Sequence, residues 1–403
     1  MFLVLMIDSL ANGMFIPVSL LYLVRVSGAS LLQVGTLLSL AGIVSLPLPL
    51  WIGRIVDSRG PKPVVLAAQW VQAAGFLGYL VTSNRPALLI AAIAASSGQR
   101  IFWSSIFVLV DNLACSDGDP RARERWFGTI GALRAAGYGV GAFIAGVAVS
   151  IGSVSVYWDV IAADAALLLA AALLVRLQIP RIAVSTRTQP KQGLERGYRT
   201  LWADRPYLAL VALNSAFALC NVMLSIALPP FVAHRLPSTT WVVGPLLAMN
   251  TLVQAVLQPL VVRLLRPIPR HSALCLAGIL WTAWSLLTMS PLWLPAGFRI
   301  PCLTLAVLCY SAAQLIHSPV SNALAADAAP SEVRGRYLAV FQYSFAIATT
   351  IAPTMFSVLF DVANAAPWSA LGAVALLTVP GMLLIAPHLP QAALTGGCVI
   401  QEE

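Results

Sequence analysis

The sequence predicts an all-α integral membrane protein of twelve transmembrane helices, arranged as two six-helix repeats. Three observations support this fold. Only 10% of the 403 residues are charged and 59% are hydrophobic, whereas soluble globular proteins carry about 25% charged residues. The apolar runs are long and continuous, and the two halves of the chain echo each other. Because lipid cannot hydrogen-bond to the backbone, continuous apolar runs favour helices over a barrel.

A helix needs about 20 predominantly apolar residues to cross a bilayer. Twelve runs meet this requirement, and prolines or tryptophans stand near many of their ends. The predicted spans are 2–24, 31–53, 63–82, 86–113, 126–150, 156–175, 206–233, 240–262, 271–290, 300–325, 337–360 and 367–387.

The basic residues predict the orientation of these spans. Of the 24 Lys and Arg residues, eighteen lie in loops on one side, four on the other, and Arg100 and Arg134 lie within helices. Basic loops stay in the cytoplasm, so we expect a multi-pass protein of the cell (plasma or inner) membrane with both termini cytoplasmic. The expected organisation is a six-helix bundle over 1–176, a linker over 177–205, a second bundle over 206–390 and a short tail over 391–403.

Internal repetition supports the two bundles. Leu113-Ala114 and the nearby Arg123 and Arg125 recur 211 residues later as Leu324, Ala325, Arg334 and Arg336. The Val34-Gly35 stretch near the second helix recurs at an offset of 209 as Val243-Gly244. Parallel six-helix repeats with a binding site between them are a transporter architecture.

Other classes of function find little support in the sequence. The net charge of +9 is spread between apolar runs rather than gathered on one patch, so we expect no nucleic-acid partner. The six cysteines form no C-x-x-C pair, and neither a P-loop nor a Rossmann turn occurs. Asp117-Gly118-Asp119 could suggest a metal-dependent membrane enzyme, but a turn or salt bridges before Pro120 is the simpler interpretation. We expect no enzyme activity, metal or cofactor.

The end of the second span and the loop after it contain Gly53, Asp57, Gly60 and Lys62. This spacing resembles a loop motif of the major facilitator superfamily, which usually has a basic residue where Ser58 stands. Within that family the chain looks most like the twelve-helix drug:proton antiporters, because an acidic residue lies early in helix one and helix five is rich in glycine. The glycines in question are Gly137, Gly139 and Gly141, which also have a simpler interpretation as close helix packing.

Charged and titratable residues inside the spans are candidates for proton coupling, because a charge in the bilayer costs at least about 2.5–3.5 kcal/mol. Asp8 in helix one and Arg100 in helix four lie on helices that the resemblance places around a central cavity, so we predict a proton-titrated pair. A static ion pair or a substrate-binding charge is the alternative. The full set of coupling candidates is Asp8, Arg100, Asp111 and His317; a lone histidine is more often a packing residue.

The resemblance also implies a cytoplasmic latch that holds one conformation. In it, Asp57 would face the N-terminus of helix eleven, where the helix dipole favours an anion. The residues assigned to this latch are Gly53, Asp57, Gly60, Lys62 and Arg134. For Asp164, in the peripheral helix six, we expect a structural pairing with a polar neighbour.

Polar and aromatic side chains within the spans are candidates for lining a substrate cavity. Aromatic walls would suit amphipathic molecules, although such residues also fill ordinary helix packing. The candidates are Asn12, Trp103, Asn214, Phe217, Asn221, Tyr310, Gln314, Gln342 and Tyr343.

Together these features predict a monomeric secondary transporter that exports a small hydrophobic or amphipathic molecule in exchange for protons. The alternatives are an importer or facilitator of a small metabolite, or, with less support, a polytopic membrane enzyme. The expected partners are the substrate, protons and the lipid bilayer.

Overall fold

The computed structural model describes residues 2–115, 122–178, 201–265, 267–330 and 334–395, and every long element in these ranges is a helix. Each predicted span is covered by a helix, with the second span divided between two. The helices are α1 (Phe2–Ser27), α2 (Leu31–Ser45), α3 (Leu48–Arg59), α4 (Pro61–Val81), α5 (Arg85–Cys115), α6 (Ala122–Ile151), α7 (Val154–Gln178), α8 (Arg205–Arg235), α9 (Val243–Leu265), α10 (Arg270–Met289), α11 (Ala296–Ala328), α12 (Arg334–Val362), α13 (Ala366–Ile385) and α14 (Gln391–Thr395).

The second predicted span is not one continuous helix. The α2 helix begins with a capping box, in which Ser30 and Gln33 bond each other's backbone, and it ends at Ser45. Pro47 follows and lies at the N-cap of α3. A proline lacks the N–H that would continue the helical ladder and clashes with the preceding turn, so the span breaks at Leu46–Pro47.

Within the described ranges, nine helices are long and apolar enough to cross a membrane. The second, fourth and fifth predicted spans are not among these nine. The second is interrupted as described, and only the 136–151 part of the fifth counts as a shorter apolar helix. The fourth carries Gln99 and Arg100 at its middle, two polar residues that lower its hydropathy.

Contacts divide the chain into two compact units. The first unit comprises Met1–Arg187, Ser225–Ala255 and Pro353–Asp361. The second comprises Thr188–Leu224, Val256–Ala352 and Val362–Glu403. The linker predicted at 177–205 stays a prediction, because 179–200 lie outside the described residues.

The first unit is built on four helix pairs: α1 with α6, α1 with α7, α4 with α5, and α4 with α7. Where these helices converge, a cluster of buried apolar side chains forms the core. It contains Val4, Leu5, Val65, Ala68, Phe102, Ile106, Leu109, Ala171 and Val175. The α1, α4, α5 and α7 helices are therefore held at a fixed relative register.

In the second unit, α10 packs against both α11 and α13. Its interior is strongly aromatic. The Trp284 ring lies 5.0 Å from Tyr310 and 5.7 Å from Trp368, both edge-on. Edge-to-face pairs of this kind stabilise by about 0.5–1.5 kcal/mol beyond the area they bury, so this part of the unit is a packed core.

Candidate functional site

The most distinctive polar group of the first unit surrounds Asp8 on α1. The side chain of Asp8 is 0% exposed. Asn12, one turn along the same helix, donates from Nδ2 to the Asp8 backbone carbonyl at 2.7 Å and to Oδ2 at 3.2 Å. Gln99 of α5 donates from Nε2 to Oδ1 of Asn12 at 2.5 Å. The result is a chain of hydrogen bonds from α5 through Asn12 to a buried carboxyl group.

Arg134 of α6 lies within electrostatic range of Asp8. Within the described residues no hydrogen bond and no ion pair within 4 Å joins the two side chains, and Oδ1 of Asp8 and Nε of Arg134 are each buried without a hydrogen-bond partner there. The guanidinium carbon of Arg134 lies 3.9 Å from the centre of the Trp103 ring. A guanidinium over an indole face is a favourable cation–π arrangement.

This geometry corrects the predicted pairing of Asp8 with Arg100. Arg100 donates from Nε to Oγ of Ser45 at 2.8 Å, so its side chain is directed to α2. The arginine within electrostatic range of Asp8 is instead Arg134, a residue predicted to belong to the latch. The sequence could not distinguish them, because both are single arginines within apolar helices.

Glycines bring α6 close enough to α1 to build this site. A Cβ atom on Gly137 would meet the carbonyl oxygen of Met6 at 2.5 Å, and one on Gly141 would meet that of Leu10 at 2.2 Å. Gly13 makes the reciprocal approach to the Tyr138 carbonyl. The interpretation of these glycines as close packing is confirmed, and small residues are the usual means of such packing in membranes.

The structure describes only part of the predicted latch. Gly60 adopts a φ of +81°, a left-handed conformation that favours glycine, between the end of α3 and the start of α4. Lys62 donates from Nζ to the backbone carbonyl of Arg176 at 3.1 Å, tying α4 to the end of α7. Gly53, Asp57 and Asp111 lie on described helices, but their side-chain surroundings fall outside the described part. Asp117 and Asp119 lie outside it entirely.

In the second unit, His317 is packed rather than open. It is buried, and its Nε2 lies 2.9 Å from Oδ1 of Asn214, whose Nδ2 donates to Ser344 Oγ at 2.6 Å. The rings of Phe217 and Trp281 lie 5.0 and 5.2 Å from the imidazole. This is the arrangement of a hydrogen-bonded packing histidine.

The predicted cavity residues divide into two groups. Phe217 and Tyr310 are 1% and 2% exposed, and the Tyr310 hydroxyl donates to the carbonyl of Asn221. Neighbouring rings cover both of them, and their role in lining a substrate cavity stays a prediction. Asn12 and Asn214 are buried in the hydrogen-bond networks described above. The candidates with greater exposure are Trp103, Asn221, Gln314, Gln342 and Tyr343.

The structure also corrects the expectation for Asp164. This residue of α7 is 0% exposed, and neither carboxyl oxygen has a hydrogen-bond partner among the described residues. The expected structural pairing is absent there.

Sequence reasoning missed three glutamines of the first unit. Gln99 completes the hydrogen-bond chain to Asp8, while Gln69 and Gln72 are buried on α4. A signal was available, since polar amides that interrupt predicted spans need a buried partner just as charges do.

Comparison with known proteins decides the family. The profile of the Major Facilitator Superfamily matches residues 1–353. The chain belongs to this superfamily. It is therefore a multi-pass membrane transporter for a small molecule, and the resemblance read from the sequence is confirmed.

Similar proteins match most of the length of this chain. Multidrug resistance protein MdtH of Edwardsiella ictaluri is 26% identical over 390 residues, which cover 93% of this chain and 91% of the relative. The protein of the same name from Yersinia enterocolitica is 26% identical over 391 residues, covering 94% and 92%.

Solved structures support the major facilitator fold. A mutant of the nucleoside transporter NupG aligns with a TM-score of 0.78 at 12% identity, covering 95% of this chain and 98% of that one. A mutant peptide transporter POT in complex with sulfate aligns with a TM-score of 0.76 at 15% identity, covering 96% and 93%.

Proposed function

We propose that this transporter exports small hydrophobic or amphipathic molecules in exchange for protons, by alternating access. The observation that carries the proposal is the buried Asp8, with a hydrogen-bond chain on one side and the Arg134 charge on the other. Two relatives are multidrug resistance proteins, which supports the substrate class.

Asp8 can hold a proton because its surroundings accommodate both of its charge states. Ionised, the carboxylate accepts the Asn12 amide and is balanced by Arg134. Protonated, it no longer needs the arginine, and the free Oδ1 can carry the proton. The two states therefore differ in how strongly Arg134 is drawn towards α1, which is what a coupling residue requires.

Trp103 connects this switch to a substrate. Its ring already binds a cation, the Arg134 guanidinium, at 3.9 Å. An amphipathic molecule with a cationic or aromatic group can compete for the same ring face. Protonation of Asp8 removes its attraction for Arg134, which then stays on the Trp103 ring and excludes the substrate. Proton binding and substrate binding therefore oppose each other, as antiport requires.

The deciding experiment measures efflux of an ethidium-type cation and a neutral dye from cells that express the protein. Wild-type efflux should stop when an uncoupler collapses the proton gradient. Asp8→Asn should lose gradient-driven efflux, because the amide cannot exchange a proton. Asp159→Asn, an exposed aspartate on α7, is the control and should behave like wild type.

Normal, uncoupler-sensitive efflux by Asp8→Asn would contradict a coupling role for Asp8 and move it to Asp111 or His317. If the uncoupler does not change the efflux rate of the wild-type protein, proton antiport is contradicted altogether. Counterflow that is equally fast without a gradient would indicate a facilitator instead.

A further inference from the structure

A second buried carboxyl group of the first unit takes no part in the proposed coupling site. Asp164 on α7 is 0% exposed, and neither of its oxygens has a hydrogen-bond partner in the described ranges of the chain. On α4, both polar atoms of the Gln69 amide and Oε1 of Gln72 are likewise buried and unpartnered. Buried polar atoms nearly always find partners in native structures, so three such side chains in one unit require an explanation.

The register of the helices brings these side chains to one level. Val65 of α4 and Ala171 of α7 belong to the same core cluster. The two helices run antiparallel in sequence and pack against each other. Gln72 follows Val65 by seven residues on α4, and Asp164 precedes Ala171 by seven residues on α7. Both therefore lie about two turns, or about 10.5 Å, further along the bundle than the cluster residues. Gln69 lies one turn short of Gln72 and on the same side.

The same register holds on the neighbouring helices, where the contact can be observed. Leu5 of α1 and Ile106 of α5 also belong to the core cluster. Asn12 follows Leu5 by seven residues, and Gln99 precedes Ile106 by seven residues. These two side chains are joined by the 2.5 Å hydrogen bond. For this pair of helices, a shift of seven residues from the cluster ends at an observed contact, and we apply the same shift to α4 and α7.

In the part of the chain that the structure describes, no ion pair and no side-chain hydrogen bond involves the Asp164 carboxyl group. Lys62 reaches the Arg176 carbonyl at the far end of α7, and Arg25 acts on Tyr157 near its beginning. Arg134 acts on Asp8. The other described titratable groups on α1, α4, α6 and α7 are Tyr22, Tyr79, Tyr138 and Asp159.

We propose that Asp164, together with Gln69 and Gln72, forms a second buried site for one monovalent cation, either a proton or Na⁺. An isolated buried carboxylate is too costly to persist, so a positive charge must accompany it. A proton on Asp164 would be donated to a glutamine oxygen. A Na⁺ ion would be bound by the carboxylate and by Oε1 of Gln69 and Gln72, since hard cations take oxygen ligands.

The site is independent of the substrate that the protein transports. Its test therefore uses purified full-length protein in lipid nanodiscs, without substrate. Infrared difference spectra of wild type minus Asp164→Asn isolate the carboxyl group of this residue, and Asp159→Asn on the same helix is the matched control. Spectra are recorded in KCl and in NaCl, and again after exchange into D₂O.

We expect a non-ionised carboxyl band in KCl that Asp164→Asn removes and Asp159→Asn retains, and that shifts in D₂O. A band that persists in NaCl identifies a proton site. A band that disappears in NaCl, with a higher thermal midpoint than in KCl for wild type only, identifies a Na⁺ site. Gln72→Leu should shift the frequency of the carboxyl band. This variant replaces Asp164→Asn in the experiment if Asp164→Asn does not fold.

Two results would overturn the inference. One is an ionised Asp164 in both salts, with no band in the difference spectrum. The other is a band that never shifts in D₂O, because a sealed and permanently protonated side chain exchanges no cation. Neither result bears on Asp8 or on dye efflux, so this proposal and the proposed function fail separately.

Discussion

The buried carboxyl group of Asp8 has few polar contacts among the described residues, so each of these contacts carries considerable weight. Asp8 has one side-chain hydrogen-bond donor, Asn12, and Asn12 in turn depends on Gln99. In an apolar surrounding, a lost partner leaves the other group without water to replace it. The hydrogen-bond chain therefore affects both stability and the charge state of Asp8.

Gln99→Leu should destabilise the protein by about 1–2 kcal/mol, because it leaves Oδ1 of Asn12 buried without a donor. The measurement is the midpoint of thermal unfolding of purified protein in detergent. Gln342→Leu is the matched control, since Gln342 is exposed on α12. Equal midpoints for the two variants would contradict a stabilising role for the chain.

Arg134→Lys should impair dye efflux even though it keeps the positive charge. The planar guanidinium lies 3.9 Å from the Trp103 ring centre, and a lysine ammonium reproduces neither its shape nor its delocalised charge. The check is efflux beside Arg263→Lys, an exposed arginine of α9. Wild-type rates in Arg134→Lys would show that charge alone suffices.

At the scale of elements, the helices of the first unit are joined by backbone approach as much as by side chains. Gly146 of α6 and Gly244 of α9 leave no room for a Cβ on either helix. On α2, the Gly35 carbonyl accepts a hydrogen bond from the Thr354 hydroxyl of α12 at 3.0 Å. Such seams tolerate no added volume, because a backbone carbonyl cannot move aside as a flexible side chain can.

Gly141→Ala should therefore destabilise the α1–α6 pair by about 1–3 kcal/mol, the usual cost of overpacking. Gly297→Ala on α11 is the control, because nothing lies within 4 Å of the added methyl and alanine is the better helix former. The thermal midpoint should fall for the first variant and hold or rise for the second. A fall in both would indicate a general intolerance of alanine.

At the scale of the whole molecule, the sequence predicted the architecture well because lipid leaves the backbone few choices. Each predicted span is covered by helical structure, the second by two helices instead of one, and the family assignment is confirmed. The break at Pro47 was visible in the sequence, but the apolar run on both sides of it concealed the interruption. Partners were harder to predict: Arg134 rather than Arg100 acts on Asp8, and that choice depends on the rotation of α6 about its axis.

The charge distribution makes a prediction for the molecule as a whole. If basic loops remain inside, both termini face the cytoplasm and the α6–α7 connection at Ser153 faces outwards. In cells, a single cysteine at position 153 should react with a membrane-impermeant maleimide in a cysteine-free background, and one at position 59 should react only after lysis. Labelling of position 59 in intact cells, with position 153 labelled only after lysis, would show that the topology is the reverse of the predicted one.

The close seam between α1 and α6 has a consequence for how the protein is made. The α1 helix ends at Ser27, and α6, which supplies Arg134, begins only at Ala122, about 95 residues later. At about 5–20 residues per second of synthesis, α1 waits roughly 5–19 s for its partner. During that interval its aspartate has no arginine to balance it and faces lipid or the insertion machinery. Biogenesis, as well as turnover, therefore favours a carboxyl group that can remain protonated until the arginine arrives.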